Sequence, residues 1–139
     1  MNTPEWNLTA SIASVPEQGI ELVGTIREKL VELKWPEQDI FKIHLALEEA
    51  VMNAIKHGNQ LDPDKQVSVE CAVGTDLFQV HITDQGSGFA RHEVPDPTQK
   101  ENLYRESGRG LTIIESFMTS VEYIGCGNAL KMSKEKSPG

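Results

Sequence analysis

The chain has 139 residues, 38% of them hydrophobic and 24% charged, with a formal net charge of -8 and an isoelectric point near 4.9. That length predicts one domain able to enclose a core. The acidity argues against nucleic acid as the main ligand, because a polyanion is repelled except at a local basic patch and none is visible. Apolar runs are only a few residues long, so no segment is expected to span a bilayer, and Met1-Asn2-Thr3-Pro4-Glu5 lacks a signal-peptide pattern. Cys71 and Cys126 lie far from any CxxC or Cys/His cluster. This speaks against a disulfide framework or a structural metal, and a cytoplasmic location fits best.

Trp6 to Ile12 alternates apolar and polar residues and predicts a strand, with Trp6, Leu8, Ala10 and Ile12 on one face. Ser14-Val15-Pro16-Glu17 reads as a helix start: Ser14 as N-cap, a proline in the first turn, a glutamate three residues after the cap. Ile20, Val23, Leu30 and Leu33 continue a helical stripe to Lys34. A second helix is expected from Pro36 to His57, with Ile40, Ile43, Leu47, Ala50, Val51 and Ala54 as its apolar stripe and Gly58 as a left-handed stop. Gln66 to Val73 and Leu77 to Thr83 alternate like paired strands joined around Gly74-Thr75-Asp76. Residues 90–107 show no sustained period and read as a long loop, of the kind usually functional or mobile. A helix is expected from Gly110 to Met118, then strands at Val121 to Ile124 and Ala129 to Met132. Residues 1–133 make the domain, and residues 134–139 read as a disordered tail.

Three stretches carry chemistry. In Glu49-Ala50-Val51-Met52-Asn53-Ala54-Ile55-Lys56-His57-Gly58, a carboxylate, an amide and an imidazole recur at helical spacing and line one face. The stripe beside them must face a sheet, so Glu49 and Asn53 fall at the rim of a cleft. An amide oxygen suits Mg²⁺, and a glutamate one turn earlier can accept a proton from a hydroxyl. By itself such a pair is more often a solvated helix face. Asp84-Gln85-Gly86-Ser87-Gly88-Phe89 ends a strand. Its glycines allow close approach to a planar ligand, and its carboxylate can accept from an exocyclic amine such as that of adenine. A plain turn is an equally good account of that stretch alone. Gly108-Arg109-Gly110-Leu111 opens a helix, where free N–H groups favour an anion. Neither a Rossmann loop nor GxxxxGK[ST] is present.

Taken in order, E-x-x-x-N-A-x-x-H-G, D-x-G-x-G-F, a variable loop and G-x-G-L resemble the GHKL or Bergerat-fold ATPases, which include gyrase, Hsp90 and histidine kinases. Within that superfamily the chain looks most like the small bacterial anti-sigma-factor serine/threonine kinases of partner-switching systems (the RsbW type). The similarity covers nearly the whole chain, including Arg105 to Leu111 and Ile113-Ile114-Glu115-Ser116-Phe117-Met118. It implies an α+β fold: a two-layer α/β sandwich whose mixed, mostly antiparallel sheet is covered on one face by helices. It implies ATP and Mg²⁺ as cofactors. Glu49 matches the catalytic base, Asn53 the Mg²⁺ ligand and His57 the histidine of the same box, with a phosphate contact or a structural role equally open. Asp84 matches the adenine-reading acid, with Gly86 and Gly88 shaping the floor. Gly108, Arg109 and Gly110 match the phosphate-facing loop, and Arg105 in the lid either neutralises transferring charge or meets a partner. Arg109 stands where many relatives carry an apolar residue, and Thr119 where these kinases often carry Asp.

The resemblance implies a kinase that phosphorylates a small STAS-domain anti-sigma-factor antagonist and sequesters a sigma factor, usually as a homodimer. A nucleotide-gated binding module with little transferase activity is the alternative from another class. A histidine kinase's ATPase domain is less favoured, since no phosphoacceptor helix pair or membrane segment is expected before the first strand.

Overall fold

The computed structural model describes residues 5–86, 114–124 and 128–138. The chain begins with strand β1 (Trp6–Ala13) and passes into two helices, α1 (Pro16–Glu32) and α2 (Glu37–Asn53). One wide π-helical turn, Ala54–Gly58, extends α2. Strands β2 (Gln66–Val73), β3 (Leu77–Thr83), β4 (Ser120–Ile124) and β5 (Ala129–Glu135) complete the sheet, whose order is β1-β2-β3-β5-β4. The α1–α2 hairpin returns the chain to the end at which β1 finished, so β2 runs back antiparallel to β1. Although β3 and β4 point the same way, β5 lies between them. Every described pairing is therefore antiparallel, and the parallel component of the expected mixed sheet is not found among the described residues.

Period-two patterning decides which face of the sheet is covered. Val67, Val69, Cys71 and Val73 on β2, Phe78, Val80 and Ile82 on β3, and Leu130 and Met132 on β5 are buried against the helices. From α2 come Ile40, Ile43, Ala46, Leu47, Ala50 and Val51, and from α1 Leu22, Val23, Ile26 and Leu30. The Cys71 thiol lies in this layer, where burial pushes its pKa up to about 12.

The ends of α1 differ from expectation. Val15, not Ser14, occupies the N-cap, and no described side chain caps it. Ser14 is instead buried, and its hydroxyl donates to the Lys65 carbonyl at 2.8 Å. Gln18 Oε1 reaches back to accept from the Ala13 N–H at 2.9 Å. On the buried stripe Gly19 takes the place expected of Ile20, which is 56% exposed. A Cβ at Gly19 would lie 2.8 Å from Ile55 Cδ1 and 3.0 Å from Met52 Cε, so the glycine lets the helices approach closely. At the far end Lys34 adopts φ 61°. The Lys34 N–H bonds to the Val31 carbonyl and the Trp35 N–H to the Leu30 carbonyl, a Schellman stop built without glycine.

The residues expected to fray are tied down. β5 extends to Glu135, and beyond it the Ser137 hydroxyl donates to Asp39 Oδ1 at 2.7 Å while its N–H donates to Oδ2 at 2.8 Å. Asp39 is fully buried at the start of α2, with the buried Lys134 ammonium 3.6 Å from its carboxylate. Burial pushes the Asp39 pKa up, but the two Ser137 hydrogen bonds and Lys134 outweigh it and hold the carboxyl below its ordinary value. The tail thus fastens β5 to α2 as far as Ser137.

Candidate functional site

The first chemical stretch straddles a change of helix type. Glu49 and Asn53 are half-buried and four residues apart on regular α2, so they form one row at the flank of its buried stripe. Ala54–Gly58 then widens into the π turn: the Asn59 N–H bonds to the Ala54 carbonyl, five residues back, at 2.9 Å. His57 is half-buried on this turn. The plain α-helical reckoning that would place it in the Glu49–Asn53 row therefore does not apply.

Gly58 is not a left-handed stop. The positive φ values lie beyond it, at Gln60 (54°) and Leu61 (60°). What demands glycine is space, because a Cβ on Gly58 would overlap the Asp84 carboxylate at Oδ2 and Cγ. A Cβ on Gly86 would likewise overlap the Gly58 carbonyl. The end of the helix and the turn after β3 are therefore in backbone contact, which joins the first two stretches at one place. Asp84 is buried at that junction, and its Oδ1 accepts from the Gly86 N–H at 2.8 Å. Burial raises its pKa, while the Gly86 N–H and the Lys65 charge lower it without cancelling the rise.

Asn59, which reads in sequence as part of a polar turn, holds the junction. Fully buried, its Nδ2 donates to Ser14 Oγ at 2.7 Å and to the Gln66 carbonyl at 3.0 Å, while its Oδ1 accepts from the Gln85 N–H at 2.7 Å. Gln85 Oε1 in turn accepts from the Gln66 N–H at 2.7 Å. Asn128 supports the other side, its carbonyl accepting the Asp84 N–H at 2.9 Å. The one available signal for Asn59 is its place straight after the Gly58 that ends the first stretch. An amide there can satisfy backbone groups on both sides of a closing turn.

Gly88, Arg105, Gly108, Arg109 and Gly110 lie outside the described residues, as does the loop of residues 90–107. The chain is described again from Ile114, which is fully buried, and residues 114–117 are helical. Phe117 stacks near Phe41 of α2, ring centroids 6.5 Å apart at 48°, so the segment following the third stretch docks beside the helix that carries Glu49 and Asn53.

The donor set fits a hard cation bound together with phosphates. Among the described residues no group of three His, Cys, Asp or Glu side chains could enclose a metal. Asn53 offers one neutral oxygen, which suits an ion that keeps waters and takes its remaining ligands from a nucleotide.

A two-layer fold whose helix end meets the Asp84-Gln85-Gly86 turn is the arrangement that the resemblance to ATPases implies. The profile of the histidine kinase-like ATPase domain matches residues 13–134, and the chain belongs to that family. The anti-sigma F factor of Oceanobacillus iheyensis is 33% identical over 136 residues, covering 94% of this chain and 92% of that one. The serine-protein kinase RsbW of Bacillus licheniformis is 30% identical over 125 residues, covering 82% and 78%. Among solved structures, that of the RsbU and RsbW domains of Rv1364c from Mycobacterium tuberculosis matches with a TM-score of 0.65 at 18% identity. It covers 96% of this chain and 32% of that longer one, and the likeness concerns the fold. None of the described helices is long and apolar enough to cross a membrane.

Proposed function

We propose that this protein is an ATP-dependent serine/threonine kinase that phosphorylates a small STAS-domain antagonist and sequesters a sigma factor. The observation that carries the reading is the junction of Gly58, Asp84 and Gly86 at the end of the helix that bears Glu49 and Asn53. Its direction comes from likeness to proteins named anti-sigma F factor and serine-protein kinase RsbW.

Adenine is read by Asp84, whose carboxylate accepts from the exocyclic amine while Gly86 and Gly88 leave room for the ring plane. Asn53 would hold Mg²⁺, which would supply charge neutralisation at the phosphates when bound. Glu49 accepts the proton of the attacking serine hydroxyl. His57 stands beside the phosphates or braces the turn. Arg105 and the Gly108-Arg109-Gly110 loop supply cationic and N–H donors to the transferring phosphoryl group, which matters in a chain of net charge -8. The protein works in the cytoplasm as a homodimer.

Labelled ATP and a purified STAS partner test the reading, with Glu49→Ala as control. Glu49-dependent label on a partner serine is the expected result. Nucleotide-dependent partner binding without such label would replace the kinase with a nucleotide-gated binding module.

A further inference from the structure

Two asparagines from different elements grip one peptide unit, the one that joins Asp84 to Gln85. Its N–H donates to Asn59 Oδ1 at 2.7 Å, and its carbonyl accepts from Asn128 Nδ2 at 3.4 Å. Asn59 stands just past the wide turn that ends α2, and Asn128 stands at the entry to β5. Neither peptide group belongs to a strand ladder, because β3 ends at Thr83. Side chains therefore set the plane of this peptide, and that makes it depend on residue identity.

Asn59 cannot turn its amide over. Nδ2 faces the Gln66 carbonyl at 3.0 Å, which can only accept, and Oδ1 faces the Gln85 N–H, which can only donate. Ser14 Oγ gives its proton to the Lys65 carbonyl at 2.8 Å, so towards Nδ2, 2.7 Å away, it acts as an acceptor. A single arrangement of protons satisfies all of these groups together. Fully buried, Asn59 is a fixed post against which the turn is set.

The plane of the 84–85 peptide decides where the Asp84 carboxylate points. Turning it shifts the Gly86 N–H, to which Oδ1 is tied at 2.8 Å. Gly58 bounds the carboxylate on the other side, since a Cβ there would overlap Oδ2. We infer that Asn59, with Asn128 as a second and weaker hold, is a positioning residue that sets nucleotide affinity and the choice of adenine over guanine. The inference rests on the reading of Asp84 as the adenine acceptor and assigns what aims that acid. Both asparagines act through the 84–85 peptide and not by contact with the nucleotide. Asn59 carries more of the effect, because its bond is 2.7 Å long and that of Asn128 is 3.4 Å.

Calorimetry with Mg·ATP and Mg·GTP tests this, on variants that circular dichroism shows to be folded at the assay temperature. Asn59→Ala is expected to weaken ATP binding about tenfold, the worth of one hydrogen bond, and GTP binding by less than about twofold. Asn128→Ala keeps the bond from the Asp84 N–H to its own carbonyl and is expected to weaken ATP binding about threefold. Half-buried at a turn, this second variant carries the test should Asn59→Ala not fold. In an Asp84→Ala background no carboxylate remains to be aimed. Neither substitution is then expected to lower ATP affinity further, although Asn59→Ala still lowers the melting temperature. Unchanged ATP affinity in the folded single variants, equal losses for ATP and GTP, or losses that add to that of Asp84→Ala would each overturn the inference. ATP affinity untouched by Asp84→Ala would instead remove the adenine reading itself, and the inference with it.

Discussion

The Cα of Gly58 lies directly beneath the carboxylate of Asp84, so close that no side chain fits between them. Helix end and strand end are thereby fixed to each other at backbone level. Gly58→Ala must push the Asp84 turn away, and overpacking of this kind costs about 1–3 kcal/mol. The expected result is a lower melting temperature together with weaker ATP binding, measured by calorimetry on the same sample. The Gly24→Ala control, inside α1 with open space around it, should leave ATP binding unchanged and raise the melting temperature slightly.

Asn59→Ala removes the amide that serves Ser14, Gln66 and Gln85 together. It leaves the Gln85 N–H and the Gln66 carbonyl without this partner in a part-buried place, where the loss is about 1 kcal/mol for each bond. Urea unfolding should show a midpoint reduced accordingly, with an unchanged slope.

Asp84 and Asp39 give opposite pH signatures. Burial raises the Asp84 pKa above its ordinary 3.8, so the folded state binds the proton more tightly. Its contribution to stability is most favourable below 3.8 and declines as pH rises through the raised value. Protonation also removes the charge that strengthens acceptance from the adenine amine. ATP affinity is therefore expected to fall on acidification at a higher pH than for an ordinary carboxylate. Asp84→Asn should abolish that pH step and weaken discrimination of ATP from GTP by about tenfold, the worth of one charge-assisted hydrogen bond.

For Asp39 the folded pKa is lowered, so its stabilisation is present above 3.8 and is lost as pH falls through the depressed value. Asp39→Asn leaves the buried Lys134 ammonium without its counter-charge, a change expected to cost about 3 kcal/mol at neutral pH. Lys134→Met in the same chain should restore part of the loss. Thermal melts of the single and double variants measure both.

Glu49→Gln and Asn53→Ala separate chemistry from binding. Loss of a general base is expected to lower phosphotransfer by about 10²–10⁴-fold, with nucleotide affinity kept. Asn53→Ala is expected to lose Mg²⁺-dependent affinity for ATP. Both side chains are half-buried at the helix flank, so circular dichroism spectra and melting temperatures should stay near those of the unaltered chain.

Local alternation made β2 and β3 legible in the sequence to the residue, because each strand has one buried and one open face. The stripe Ile40, Ile43, Leu47, Ala50, Val51 and Ala54 was equally legible, since all six are buried at helical spacing. The errors share a cause: a partner distant in sequence overrode the local signal. Ser14 looks like a cap but serves Lys65 and Asn59. Gly58 looks like a left-handed stop but makes room for Asp84. Ile20 looks like core, yet Gly19 takes its place because α2 presses against α1 there. Ser137 looks like loose tail until the buried carboxylate of Asp39 is known. The Glu49–Asn53 row and the Asp84 turn were legible by type and spacing. Their closure through Asn59 was not, since a single amide has no period.

The wide turn at Ala54–Gly58 holds one residue more than a regular helix would need. Excising one residue between 55 and 57 would leave Asn59 four residues after Ala54, so the same N–H and carbonyl would close an ordinary α-helical ring. A single-codon deletion here would thus leave Asn59 near its place, whereas one upstream in α2 would rotate every following residue by about 100° around the helix axis.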